Sequence, residues 1–296
     1  MMTSQEHSTP EISVIVPFHN SEEYIERCVE ALIAQNYSAA GYEILMVDNN
    51  SADRSAEIVQ RYPQARLLQE RKPGAYAARN HGVSVSRGRI LAFTDSDCVP
   101  TADWLTELMA LFSDSTVGLV QGRRVFGDEA SILAMLAAYE AETHAYIFSG
   151  AVKGAVFGYT NNMAVRREIF ERCGPFLETA RGADSIFVDR VVGAYSHQIL
   201  RYARAAYIRH LEIDSVQYWL GKKTLYGRSF QRHRKERRQH RALTPAERSA
   251  IFRRTRERAG YSPAQAARLF AVILIGNLSF AYGRLTRSRI AKDSET

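Results

Sequence analysis

Cysteine is scarce in this chain and falls in no pattern. Cys28, Cys98 and Cys173 are odd in number and far apart, which excludes a disulfide framework and a zinc cluster of ordinary spacing. A reduced, cytoplasmic setting is the simplest expectation. The first ten residues are polar with no apolar core, so no secretory leader is expected and residues 1–10 read as a disordered lead-in. No uninterrupted apolar run reaches the roughly 18 residues of a spanning helix. The glycine-rich phosphate loops are missing too. The first predicted strand is followed by Pro17-Phe18-His19-Asn20 rather than GxGxxG, which argues against a dinucleotide site of that type. There is no GxxxxGKS/T loop and no GxSxG elbow, so neither a P-loop nucleotide enzyme nor an α/β-hydrolase is expected.

What is present is enough apolar material for one large α/β domain, 46% of 296 residues. The charge is unevenly spread. Residues 222–258 hold fourteen Lys and Arg against three Glu, while the whole chain is only +7. A mildly acidic body therefore carries a strongly basic C-terminal segment.

The organising stretch is Ile90-Leu91-Ala92-Phe93-Thr94-Asp95-Ser96-Asp97. A short apolar run of this kind reads as a buried strand. It ends in two carboxylates, and open α/β sheets bind ligands at the edge where their strands end. Acids this close raise one another's pKa unless a cation lies between them. A hard divalent ion would settle the charge and leave positions for phosphate oxygens. Taken alone, an Asp after a strand equally suits a helix N-terminus.

Around that strand the pattern repeats. Ile12 to Pro17 predicts a strand, then Asn20 and Glu23 predict a capping box ahead of a helix burying Ile25, Cys28, Val29, Leu32 and Ile33. Glu43 to Asp48 predicts a second strand, and Ser51 the cap of a second helix ended by Pro63. Arg66 to Leu68 is a short third strand, and Pro73-Gly74 opens a third helix closed by Gly88. Such β-α-β-α-β-α-β order predicts a parallel sheet covered on both faces, with strand order 3-2-1-4. His19, Asp48 and Asp95 would then border one pocket. Farther on, Thr101 predicts the cap of a helix to Phe112, Val117 to Val125 a strand, and 129–148 an Ala-rich helix. A loop and strand over 152–165, a short helix to Arg172 stopped by Gly174-Pro175, a helix from Asp184 to Tyr195, and a strand from Leu200 to His210 follow. Asp189 and Arg190 read as an exposed pair or a helix-surface contact. A boundary is expected near residue 215, dividing 11–215 from a basic helical segment, 216–296.

Six stretches, in order, resemble family 2 glycosyltransferases over roughly residues 11–215. They are Ser13 to Asn20, Val47-Asp48-Asn49-Asn50-Ser51, Gly74 to Asn80, Asp95-Ser96-Asp97, Asn161 to Arg166, and Gly182-Ala183-Asp184. The resemblance implies a GT-A fold and inverting transfer of a sugar from a nucleotide diphosphate sugar. It implies donor contacts at Pro17, His19, Asp48, Arg79, Asp95 and Ser96, and a divalent cation, Mn²⁺ or Mg²⁺, on Asp97 with Asp95. His210 lies where some relatives supply another metal ligand, and Asp184 matches the carboxylate that activates the acceptor. Two positions depart from the family pattern. His19 replaces a frequent aromatic, leaving the donor's base open, and Ala183 replaces a Glu before the acid. The Gln-x-x-Arg-Trp motif of processive relatives is absent, which favours single transfers.

Two other readings compete. A nucleotidyltransferase would want a glycine-rich basic loop after the first strand. A non-catalytic nucleic-acid or membrane-binding module would not need acids at two strand ends. The run Arg232 to Arg238, the apolar stretch 269–283, and Trp219, Tyr226 and Phe230 beside them predict a peripheral contact with an anionic membrane surface on the cytoplasmic side. That suits a glycan or lipid-linked acceptor. Nucleic acid has no recognition motif behind it.

Overall fold

A computed structural model of the chain describes residues 9–150, 152, 154–178, 181–232 and 241–286. The expectations for residues 1–8 and for the basic run 233–238 lie outside the described residues. Eight strands form one sheet: β1 (Ile12–Phe18), β2 (Tyr42–Asp48), β3 (Ala65–Gln69), β4 (Ile90–Thr94), β5 (Cys98–Pro100), β6 (Leu119–Val125), β7 (Asn162–Arg166) and β8 (Leu200–His210). Their order is β3-β2-β1-β4-β7-β6-β8-β5. The first four are parallel in the order expected, whereas β7 runs antiparallel between β4 and β6.

Strands β1 and β4 are buried along their whole length because helices cover both faces. One face packs on α1 (Ile25–Ile33), α2 (Ser55–Gln60) and α4 (Trp104–Phe112). The other packs on α3 (Ala75–Val85), α6 (Arg167–Cys173), α7 (Ala183–Tyr195) and the end of α5 (Ile132–Phe148). A third core joins α5 to α8 (Val216–Arg232) and α10 (Pro263–Leu285) through Leu136, Trp219, Leu269 and Ile273. Helix α9 (Pro245–Ala259) runs beside α5 and opens with a Thr244/Glu247 capping box.

Several local expectations are corrected. Asn20 caps no helix: it has φ 46° and its Oδ1 accepts from Ala52 N, while α1 begins at Ile25. Ser51 is likewise taken by Asn20 N, and Asp53 serves the entrance of α2 by accepting from Ser55 N. Thr101 donates its hydroxyl to the Tyr207 carbonyl rather than capping α4. Tertiary partners outcompeted the local caps in each case. Asp189 is not an exposed residue but is buried. Trp219 lies in the third core instead of facing a membrane. Helix α10 has 23 residues and by length and composition is long and apolar enough to cross a membrane, although no uninterrupted apolar run in it is that long.

Next to the β4–β7 ladder that joins the two halves of the sheet, one side chain fills an irregularity. Strands β6 and β8 lose register between Gly122 and Arg123, a bulge that frees backbone carbonyls. Asn162 Nδ2 donates to two of them, Arg123 O at 2.8 Å and Ala206 O at 3.1 Å. Its Oδ1 accepts from Trp104 Nε1 at 2.9 Å. A Cβ on Gly122 would stand 2.2 Å from that same oxygen, so the residue there must be small. Asn162→Ala should therefore strip partners from an indole N–H and two carbonyls in a dry core, lowering stability by about 3 kcal/mol. Denaturant unfolding checks this, and a loss below about 1 kcal/mol would contradict the role.

Candidate active site

The site forms where β1, β2 and β4 end. The turn after β1 is stitched to both neighbours. His19 Nδ1 lies 2.9 Å from Asn49 O, and Asn20 Nδ2 lies 3.1 Å from His19 Nε2. Together these fit the tautomer that carries its proton on Nδ1. Asp48 is buried at the end of β2 and accepts from Ser51 N at 2.9 Å. Pro17 stands in β1 opposite Val47. Ser96 turns its hydroxyl to Ser21, 2.8 Å away. His19, Asp48 and Asp95 thus stand on adjoining, hydrogen-bonded turns, as the strand order implied.

Helix α3 supplies the cation. Arg79 is buried and pairs with Asp95, and its guanidinium lies 5.2 Å from the Tyr76 ring centroid. Tyr76 hydrogen-bonds to the backbone of Asp184 and feels the charges of Asp184 and Asp95. Burial, then the Asp184 charge, pushes its hydroxyl pKa up, so the phenol stays neutral. Asp184 is half-buried in the first turn of α7 and accepts from Ser185 N at 2.8 Å. Tyr76 and Arg79 therefore link Asp184 to Asp95.

The other end is a compact donor set. Asp97, Cys98 and His210 offer ligand atoms all within 4.8 Å of one another, with His210 Nε2 3.5 Å from Asp97 Oδ2. The pairing of β5 with β8 sets Cys98 opposite His210. Burial and the nearby carboxylates push the Cys98 thiol well up, and the thiol lies 3.4 Å from Asp97 Oδ1 as donor. As a neutral thiol it serves Asp97 as a hydrogen-bond donor. The Asp97 carboxylate suits a hard cation such as Mn²⁺ or Mg²⁺, and the His210 imidazole can join it.

Three groups here were not anticipated. Glu212, two residues beyond β8, adds a third carboxylate that acts on Asp97. Lys222 of α8 pairs with it at 3.0 Å. Tyr218 bonds to Glu212 and feels both Asp97 and Arg181, so α8 borders the Asp97 and Glu212 carboxylates. Glu212 carried the same signal as Asp95, an acid just past a strand. Tyr76 lay inside a quoted motif, but its role arises only from the packing of α3 on α7.

Comparison with known proteins gives the family and the fold. Residues 13–174 match the family model described as Glycosyl transferase family 2. Glycosyltransferase AglE of Haloferax volcanii is 36% identical over 176 residues, 56% of this chain and 56% of that protein. Pre-mycofactocin glycosyltransferase of Mycobacterium tuberculosis is 29% identical over 74% of this chain and 46% of its own length. The chain spans about half the length of these curated relatives. Among solved structures, a mannosyltransferase of Pyrobaculum calidifontis in complex with GDP-mannose and Mn²⁺ aligns with TM-score 0.60 and 18% identity, over 93% of this chain and 84% of that one. Glucosyl-3-phosphoglycerate synthase of Mycobacterium tuberculosis, with Mn²⁺ and UDP-glucose, aligns at TM-score 0.53 and 17% identity over 74% and 78%. The fold is the GT-A arrangement.

The donor set makes an electrostatic prediction. Burial, then Asp95 and Glu212, pushes Asp97 up to about 7. Burial, then Arg124, pushes His210 down to about 4. Between those values the folded protein holds a neutral acid and a neutral imidazole. The unfolded chain holds a carboxylate and an imidazolium, which is the same number of protons. In chelator, this pair therefore leaves stability flat with pH from about 4 to 6.5, above which the unfolded imidazolium loses its proton and stability falls. Asp97→Asn exposes the His210 contribution, and stability then rises as pH climbs from about 4 to 6.5. His210→Gln exposes that of Asp97, and stability falls as pH climbs from about 4 to 7, by at most about 1.4 kcal/mol per pH unit. Urea midpoints across this range check the signs, and equal slopes in the two variants would refute the opposed shifts.

Proposed function

The chain belongs to glycosyl transferase family 2, and from that premise we propose that it is an inverting glycosyltransferase that moves a sugar from a nucleotide diphosphate sugar to an acceptor hydroxyl. The observation that carries this reading is the Asp97 and His210 donor set beside the Arg79–Asp95 pair at the sheet edge. The nucleotide sugars and Mn²⁺ bound by the two structural neighbours support the same donor class.

The donor's base and ribose lie against Pro17, His19 and Asp48, with Arg79, Asp95 and Ser96 on the diphosphate side. Asp97 and His210, with Asp95, hold a divalent cation whose positive charge stabilises the departing diphosphate. Asp184 accepts the proton of the acceptor hydroxyl as that oxygen bonds to the anomeric carbon, on the face opposite the breaking bond to phosphate. Proton and leaving group thus depart at opposite ends of the cleft. Tyr76 holds Asp184 relative to Arg79, which fixes that separation. The acceptor is a glycan or lipid-linked glycan of the cell envelope, extended by single transfers.

Two substitutions separate the two ends. Asp97→Asn should abolish Mn²⁺-dependent binding of the nucleoside diphosphate while the protein stays folded. Calorimetry with UDP and GDP, with and without Mn²⁺, measures it, and unchanged metal-dependent affinity would sink the assignment. Asp184→Asn should lower turnover by about 10²–10⁴ and leave nucleotide affinity intact. A parallel loss of both in that variant would move Asp184 from base to donor site.

A further inference from the structure

The large exposed apolar side chains of the described residues lie on α8 and α10. On α10 they are Phe270, Leu274, Ile275, Leu278, Tyr282 and Leu285, between 49% and 82% exposed. Their spacing of three and four residues puts them on one stripe. The opposite stripe is spoken for. Ala266, Leu269, Ile273, Gly276 and Gly283 are buried. A Cβ on Gly283 would stand 2.1 Å from Thr224 O, and one on Gly227 2.1 Å from Phe280 O, so α8 and α10 touch backbone to backbone. Helix α10 cannot turn its apolar stripe inward.

We infer that α10 docks side-on in the surface of an anionic bilayer, apolar stripe down. Charge complementarity selects the partner. Helix α10 carries Arg268 and Arg284 and no acid. Helix α9, whose Phe252 packs on Phe270, adds exposed Arg253, Arg254, Arg256 and Arg258. The described parts of α8 to α10 contain only two acids, Glu247 and Glu257. An apolar stripe with arginines at its margins matches the boundary between acyl chains and anionic headgroups.

Length and composition alone would let α10 cross the membrane, but its partner excludes that. Crossing would carry α8 along, with Lys222, Lys223, Arg228 and Arg232, into hydrocarbon. It would also break the Lys223–Glu140 and Lys222–Glu212 pairs. Lying flat keeps both pairs and buries only the free stripe. The inference stands on surface chemistry. Joined to the transferase reading, on which this step rests, it sets the cleft beside the bilayer and assigns the acceptor to the lipid-bound class.

The test uses the full chain and vesicles of phosphatidylglycerol or of phosphatidylcholine, without any activity assay. The protein should float with the anionic vesicles, less so at high salt, and weakly with the neutral ones. Replacing Leu274→Ser, Leu278→Ser and Tyr282→Ser together, all at exposed positions, should weaken binding at least tenfold, about 1.4 kcal/mol, with the fold unchanged by circular dichroism. Depth is read from Phe270→Cys, Leu278→Cys and Leu285→Cys, each labelled with a fluorophore and quenched by nitroxide lipids. The native cysteines are buried and do not compete for label. One shallow depth at all three positions supports the inference, and depths graded through the midplane overturn it. Equal binding by the triple variant overturns it as well. So does a dimer that the triple substitution dissociates while vesicles are ignored, since a second copy would then cover the stripe.

Discussion

Three carboxylates share one edge of a buried sheet, and much of the molecule is arranged around their mutual repulsion. Asp95, Asp97 and Glu212 come from the ends of β4 and β8. In a low-dielectric setting such charges cannot stand together unneutralised. Arg79 from α3 takes Asp95, and Lys222 from α8 takes Glu212. Among the described residues Asp97 has no ion pair with Lys or Arg, although Lys222 acts on it, and beside it stands the His210 imidazole, whose pKa burial lowers. The chain therefore leaves one negative charge for a proton or a bound cation to meet. The proposed metal answers a deficit that the protein's own residues create.

Much of the sheet could be read from the chain because its first four strands are buried on both faces. They appear as uninterrupted apolar runs with short connections, and parallel order follows from chain handedness. The antiparallel insertion of β7 was hidden, since nothing local to Asn162–Arg166 says which neighbours it takes. Strand β5 was missed because three residues acquire strand geometry only by pairing with β8. The helix caps failed for a related reason. Asn20 and Ser51 have the right side chains for capping, but each satisfies the other's loop.

The site divides along the same line. Asp48, Asp95 and Asp97 stood out in the chain because each ends an apolar run in a repeating β-α pattern, although a single such Asp suits a helix N-terminus as well. Glu212 had the same placement and went unread because the chain beyond β8 looked like a boundary. Tyr76 could not be found by periodicity. Its hydroxyl, its ring and its position matter only once α3 lies against α7, with the guanidinium of Arg79 over one face.

Helix α8 unites these separate demands. Tyr218 and Lys222 both engage Glu212 beside the Asp97 and His210 pair, and Ser229 donates to Arg181 O at 2.9 Å near the entrance of α7. Its inward face is fixed by Glu140, which takes Arg124, Lys223 and the Trp219 indole at once. Burial alone would raise the Glu140 pKa, yet Lys223 and Arg124 hold it well below the usual range. An ion cluster of this kind contributes little net stability compared with apolar packing, but it tolerates only one register of α8 against α5. That register puts Lys222 beside Glu212 and sets Gly227 against α10. The orientation of the exposed apolar stripe and the charge balance at the sheet edge are therefore fixed by the same helix. A shift of one would disturb the other.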